Sequence, residues 1–285
     1  MMDRRDFIAL SLAFAAAQPT RALAASDAQD VIAIGGDVTE IIYALGQGHR
    51  LLARDATSTY PVEAQALPDI GYMRSLSAEG VLSFAPSLIV SAEGAGPPEV
   101  IDILRSAAVN FAEVPEGYDA GAIVEKINAV GAALDVQELA QTLATETRVA
   151  LYAAQDRATR LNAEKKRVLF ILSTQGGRIM ASGTGTGADG IIRMAGATNA
   201  VSEFEGYKPL SDEAVSAAAP DAILMMDRSG DHASTDEELF ALPALLATPA
   251  AQNRDVVRMD GLFLLGFGPR TADAVTALHR ALYQI

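Results

Sequence analysis

The chain contains no cysteine and no tryptophan, and only three histidines. Without cysteine there can be no disulfide, no thiolate metal site, no cysteine nucleophile and no lipid-modified cysteine anchor. His49, His232 and His279 are scattered, and none has a partner at metal-ligand spacing, so each reads as a packing or surface residue rather than a zinc ligand. Basic residues are also scarce: 22 Lys and Arg face 36 Asp and Glu, for a net charge of −14. That balance excludes a nucleic-acid binder, which needs a basic face, and adhesion to anionic lipid. Neither H-E-x-x-H nor G-x-S-x-G occurs, which removes the common hydrolases.

What is present is a globular composition, half apolar and one-fifth charged, over 285 residues, enough for two lobes with separate cores. Residues 1–24 read as a signal peptide. They carry a charged start, an apolar run from Phe7 to Ala17 too short to span a bilayer, and small residues around Ala22-Leu23-Ala24. Arg4-Arg5 followed by Asp6-Phe7-Ile8 resembles a twin-arginine signal, and the mature chain is expected to be free and soluble in the periplasm.

The remainder repeats itself. "VIAI" (31–34) is a short strand ending in Gly35-Gly36, and "DVTEIIYALGQ" follows as a helix with Asp37 and Thr39 as candidate caps. "SLSAEGVLSFAPSLIVSAEG" (75–94) matches "PLSDEAVSAAAPDAILMMDRSG" (209–230): Glu79 aligns with Glu213, and Pro86 with Pro220. Gly71-Tyr72 aligns with Gly206-Tyr207, and "DVTEIIYALG" with "GADGIIRMAG". The offset is too long for a solenoid and suits two similar α/β lobes. Between them, 136–166 lacks glycine and proline and predicts one long rigid helix, with Leu139, Leu143, Ala150, Ala154, Ala158 and Leu161 at roughly helical spacing. The expected organisation is therefore an N-terminal lobe over 25–135, a linking helix over 136–166 and a C-terminal lobe over 167–285. In open α/β sheets ligands sit beyond the carboxyl ends of the strands, so both lobes would aim their loops into a shared cleft.

Two motifs carry chemistry. Gly185-Thr186-Gly187-Ala188-Asp189-Gly190 formally matches the dinucleotide fingerprint, and an exported nicotinamide oxidoreductase is one reading. The motif lies about a dozen residues after "VLFILS" rather than directly on it, which favours a glycine-rich turn before a helix. "GYMRSLSAEG" (71–80) sets Tyr72 two residues before Arg74 in a strand-to-helix loop. A tyrosine there either packs with its hydroxyl bonded or ligates a hard ferric ion as phenolate, a nearby cation helping it lose its proton.

At these residues the chain resembles the periplasmic haem-binding proteins of ABC-type haem importers, within the class III, helix-linked substrate-binding proteins. The likeness covers the mature chain and is carried by "IGGDVTEIIYALG", "RDATSTYP", "LPDIGYMRSLSAEGVLSFAPSLIVSAEGAGPP", "ASGTGTGADGIIRMAGATNA" and "YKPLS". The resemblance implies a non-enzymatic receptor that captures ferric haem b. Tyr72 would be the axial iron ligand, Arg74 its hydrogen-bonding neighbour, and Arg228 a cleft residue near iron or a propionate. Tyr207, in the mirrored loop, would contact the porphyrin edge or an additional haem. Glu79 and Glu213 would dock, one per lobe, on the inner-membrane permease that works with its ATPase, the receptor acting as a monomer. Phe84, Met73, Phe263 and Phe267 are the candidates for lining the porphyrin. Some family members carry a histidine after the first strand of the second lobe and can stack a second haem; this chain reads "LSTQGGRIM" there. A siderophore or cobalamin receptor of the same fold is the alternative binding function.

Overall fold

A computed structural model describes residues 29–161, 163–227 and 235–285. The expected signal peptide, Arg228 and His232 lie outside the described residues.

The N-terminal half is a parallel sheet of four strands. β1 (Val31–Ile34) pairs with β2 (Leu51–Arg54) and β3 (Leu88–Ala92), and β3 pairs with β4 (Asn110–Val114). Strand order is β2-β1-β3-β4. The sheet is covered by α1 (Gly36–Ala44), α2 (Ala78–Leu82), α3 (Pro98–Ser106) and α4 (Ala120–Ala133). β1 shows why four apolar residues in a row make a central strand. Val31 and Ala33 enter one core cluster while Ile32 and Ile34 enter another on the opposite face. Asp37 and Thr39 are not the caps of α1. Gly35 occupies that position with no side-chain cap, and Asp37 instead pairs with Lys126 while the Thr39 hydroxyl bonds Ser58.

The linking helix α5 runs Gln137–Arg160, ending six residues short of the expected boundary. Its buried face is Ala140, Ala144, Thr147, Leu151, Ala154 and Ala158, at alternating four- and three-residue steps. Leu139 and Ala150, expected on that face, are exposed. Backbone approach decides this. Gly131 of α4 lies so near Ala140 that a Cβ on it would fall 2.1 Å from the alanine methyl, so the seam admits small residues and turns Leu139 outward.

In the C-terminal half, β5 (Arg167–Ser173) is central. It pairs in parallel with β7 (Thr198–Asn199) and β9 (Ala222–Asp227), and β9 with β10 (Val256–Asp260). This β7-β5-β9-β10 core copies the N-terminal order. Added to it are β6 (Ile179–Ser182), antiparallel to β5, and β8 (Tyr207–Leu210), antiparallel to β6. The helices are α6 (Gly187–Met194), α7 (Asp212–Ala218), α8 (Asp236–Phe240), α9 (Pro249–Asn253), α10 (Gly261–Leu265) and α11 (Thr271–Tyr283). The protein is thus two α/β lobes bridged by one long helix.

The largest core cluster is not confined to either lobe. It joins Val31, Val90 and Ile127 of the first to Leu151 of the linking helix and to Phe170, Ile191 and Val275 of the second. Two ion pairs reinforce the junction. Lys126 bonds Asp37 and also reaches the Gly266 carbonyl, and Arg270 Nη2 meets Glu40 Oε2 at 2.7 Å. His279 is a packing residue, buried with Nδ1 2.9 Å from the Ala195 carbonyl.

Candidate functional site

The loops at the carboxyl ends of the parallel strands of both sheets form the candidate site. Asp55, at the end of β2, is fully buried and organises the N-terminal side. Its carboxylate accepts from Gly35 N–H at 3.0 Å, Thr57 N–H at 2.9 Å, the Thr57 hydroxyl and the Ser58 hydroxyl. The next loop is tied on by Ala56 N–H donating to the Gly71 carbonyl at 2.8 Å, while Asp69 accepts from Gly71 N–H. Gly71 itself sits at φ +93°, in the left-handed region where a side chain would be strained. The chain then turns sharply, Ser75 N–H donating to the Tyr72 carbonyl, and Met73 drops between two core clusters. Tyr72 and Arg74 are left pointing out of that turn, both exposed, Tyr72 at 49 %. Among the described residues no group hydrogen-bonds the Tyr72 hydroxyl.

Two further tyrosines stand near Arg74. Tyr118 follows β4 in the first lobe, and Tyr207 opens β8 in the second, so the arginine faces phenols from both sides of the cleft. Burial pushes the Tyr118 phenol up, and the Glu116 carboxylate, hydrogen-bonded to it, pushes it further, against a weaker opposing pull from Arg74. Burial likewise raises Tyr207, offset in part by the Thr186 hydroxyl, Arg74 and the Ala188 N–H at the start of α6. Tyr118 thus donates to the Glu116 carboxylate, whereas the Tyr207 oxygen accepts from the Thr186 hydroxyl and the Ala188 N–H. Tyr207 belongs to a strand and stacks edge-on to Phe170 at 6.3 Å, whereas Tyr72 belongs to a turn. The repeat survives in the backbone, since Gly206 at φ +80° matches Gly71.

The glycine-rich 185–190 segment serves packing. A Cβ on Gly190 would lie 2.5 Å from the Tyr118 carbonyl oxygen, and one on Gly187 would touch Phe267 at 3.1 Å. The absence of a side chain at Gly190 lets α6 pack directly on the backbone of the first lobe. Phe267 is buried in the core, edge-on to Tyr118 at 5.3 Å, and Phe84, half-buried, packs in the smaller N-terminal cluster. Phe263 and Met73 are half-buried. A separate cavity of about 470 Å³ lies among Tyr118, Asp119, Tyr152, Gln155 and Arg193, and Tyr118 is the one residue it shares with the tyrosine group.

Glu79 and Glu213 occupy the same place in equivalent helices. Each is the second residue after a serine cap: Ser77 accepts from Gly80 N–H, and Ser211 from Ala214 N–H. Both are exposed. Its own backbone N–H and the Ser211 hydroxyl hold the Glu213 carboxyl below the usual range. Among the described residues no three His, Asp or Glu side chains cluster to hold a metal ion, and no helix is long and apolar enough to cross a membrane.

Residues 31–261 match the model of the periplasmic binding protein family. The chain belongs to that family. This periplasmic binding protein is 42 % identical to the periplasmic haem-binding protein BhuT, whose structure holds two haems, over 90 % of this chain and 98 % of that one, with a TM-score of 0.85. It is 37 % identical to the periplasmic haem-binding protein RhuT from Roseiflexus sp. RS-1, over 90 % and 98 % of the two chains, with a TM-score of 0.86. The vitamin B12-binding protein of Yersinia pestis is 27 % identical over 82 % of this chain and 81 % of its own length. The members are substrate-binding proteins, in line with the binding-protein expectation from sequence.

Sequence reasoning singled out Tyr72, Arg74 and Tyr207, and the fold brings them to one cleft. It missed Asp55, Glu116, Tyr118, Tyr60 and Arg270. The available signal was positional for the first four, which lie just beyond the end of a strand or in the loop that follows one, whereas Arg270 sits between two helices, α10 and α11.

Proposed function

We propose that this protein captures ferric haem b in the inter-lobe cleft through a tyrosinate ligand from Tyr72 and hands it to an ABC permease and its ATPase in the inner membrane. One observation carries the reading. Of the three tyrosines around Arg74, Tyr118 and Tyr207 have bonded hydroxyls, to Glu116 and to Thr186 and the Ala188 N–H, and Tyr72, the most exposed of the three, has no described partner. An iron-bound phenolate needs access to the metal and a neighbouring cation, and Arg74 supplies the charge. The similarity to two haem-binding proteins along nearly their whole length supports the cargo. Tyr118 and Tyr207 would donate to the porphyrin edge or its propionates, with Arg228 a further cationic partner. No bond in the haem breaks: coordination and apolar burial hold it.

Glu79 and Glu213, one per lobe and equally exposed, would place two carboxylates on basic groups of the permease. The working organisation is a periplasmic monomer with lobes over 25–135 and 167–285 about a linker over 136–166. A core shared across the linker argues for a small opening motion rather than a wide hinge closure.

The test is an absorbance titration of the mature protein with ferric haem beside Tyr72→Ala. Wild type should saturate with a ferric-tyrosinate spectrum, and the variant should lose that spectrum and bind at least on the order of 100-fold more weakly. Equal binding by both would remove Tyr72 as the ligand. Uptake of cobalamin or a ferric siderophore in place of haem would move the cargo to the alternative, which the B12-binding relative keeps in view.

A further inference from the structure

We propose that Arg270 is the receptor for a ligand carboxylate at the end of the cleft remote from Tyr118, taking one propionate of the bound tetrapyrrole; this rests on the haem reading above. Arg270 follows α10, beyond the carboxyl end of β10. Its guanidinium carbon lies 3.4 Å from the ring centroid of Tyr60, which stands in the loop beyond β2, and 5.3 Å from that of Phe263. Those two edge strands belong to different lobes, so the arginine spans the cleft between them. The loop bearing Tyr60 is the one bonded, through Ala56 and Gly71, to the turn that presents Tyr72. Arg270 and Tyr72 therefore border one binding space.

The guanidinium is prepared for an acceptor it does not have. Glu40, buried in α1, accepts from the Arg270 backbone N–H at 3.2 Å and from Nη2 at 2.7 Å, which fixes the side chain from behind. The ring of Tyr60 fixes its plane. Nε is buried with no partner, and no described acceptor reaches Nη1, although the side chain is 24 % exposed. Five N–H donors are thus served by a single carboxylate oxygen. The end of the guanidinium, where Nη1 and the second Nη2 hydrogen point the same way, matches a carboxylate in a two-bond fork. Because Glu40 and Tyr60 have already taken the rotamer freedom, little further ordering is needed on binding. The same device selects cargo. A tetrapyrrole with free carboxylates satisfies the fork, whereas a corrin whose side chains are amides brings a neutral oxygen that makes a weaker bond.

The competing account is that Arg270 only bolts the lobes together through Glu40. Esterified haem separates the two, because the dimethyl ester keeps iron and ring but lacks the carboxylates. Wild type and Arg270→Gln are titrated with ferric haem and with its dimethyl ester, and folding is checked by thermal unfolding. The expected result is a loss of about 10-fold for haem in the variant and little change for the ester. Equal losses for both ligands would overturn the proposal and leave a structural bolt. Glu40→Gln covers the case in which Arg270→Gln does not fold, since it keeps the guanidinium and removes its counter-charge. Haem should then keep or widen its preference over the ester, and loss of that preference would overturn the proposal. If wild type takes up neither ligand, the haem reading falls and this proposal with it, an outcome distinct from equal losses.

Discussion

The two lobes are built on the same four parallel strands in the same order, yet they hold their equivalent tyrosines differently. In the N-terminal lobe the first strand runs straight into its helix, and the 71–75 turn stands clear, with Tyr72 exposed. In the C-terminal lobe the antiparallel β6 and β8 are inserted, so Tyr207, the repeat partner of Tyr72, starts a strand and leans on Phe170. The difference teaches that duplication preserves the frame and the helix starts but not the chemistry of the loops. The added pair of strands put Tyr207 in a strand, where Tyr72 stays in a turn. The glutamates escaped this divergence because they sit on helices, on the second residue after a serine cap in both lobes.

The largest effect should come from forcing the lobes apart. Gly190→Leu would press side-chain carbon onto the Tyr118 backbone, and we expect a loss of about 3 kcal/mol in urea unfolding, from overpacking with no flexible neighbour to yield. A loss under about 0.5 kcal/mol would show that α6 can retreat and that the lobes are not rigidly joined.

The symmetry of the docking glutamates comes next. Glu79→Arg and Glu213→Arg should each weaken assembly with the permease by roughly 10-fold, with haem binding unchanged, because each carboxylate addresses one half of the partner. A loss from one variant alone would break the equivalence between lobes.

Acid sensitivity should differ in origin between the halves. Asp30 ties together the starts of three N-terminal strands: its carboxylate accepts from Arg50 at 3.0 Å and from Ser87 at 2.7 Å, its backbone N–H donates to the Arg50 carbonyl just ahead of β2, and its carbonyl accepts from Leu88 of β3. Burial alone would raise its carboxyl, but the bonds from Arg50 and Ser87 and the Arg50 charge outweigh burial and hold it below the usual range. A depressed folded pKa gives stability that is full above the unfolded value near 3.8 and is lost as pH falls through the folded one. Asp30→Asn should therefore flatten the stability profile below about pH 4, by roughly 0.5 kcal/mol after allowing for solvent screening. Chemical denaturation across pH 2–6 measures it, and an unchanged acid limb would locate the sensitivity elsewhere.

The smallest effect sharpens the comparison most. Ala85 and Ala219 are repeat equivalents, each left-handed, at φ 48° and 41°, ahead of a proline. Glycine relieves that strain but adds freedom to the unfolded chain, so both Ala→Gly changes should shift stability by the same few tenths of a kcal/mol. Unequal shifts in thermal unfolding would mean that the two corners are held differently.

The amino-acid sequence by itself determined the frame. Apolar runs of four to seven residues, serine caps, the Ala-Pro corners and a stretch without glycine or proline are local signals, and they specified strands, helix starts and the linking helix, with the duplication visible in their order. The pairing of Tyr72 with Arg74 was legible for the same reason, being two residues apart. What only the tertiary structure decided depends on distance between chain segments. Leu139 turns out because Gly131 and Ala140 bring two helices close, and Asp55 adds a bond from Gly35 to its local ones from Thr57 and Ser58 because β1 and β2 are neighbours. Tyr118 comes near Arg74 and Tyr207 because the two lobes meet there. Arg270 meets Glu40 across 230 positions of sequence, a contact that exists only once a common core has drawn both lobes together.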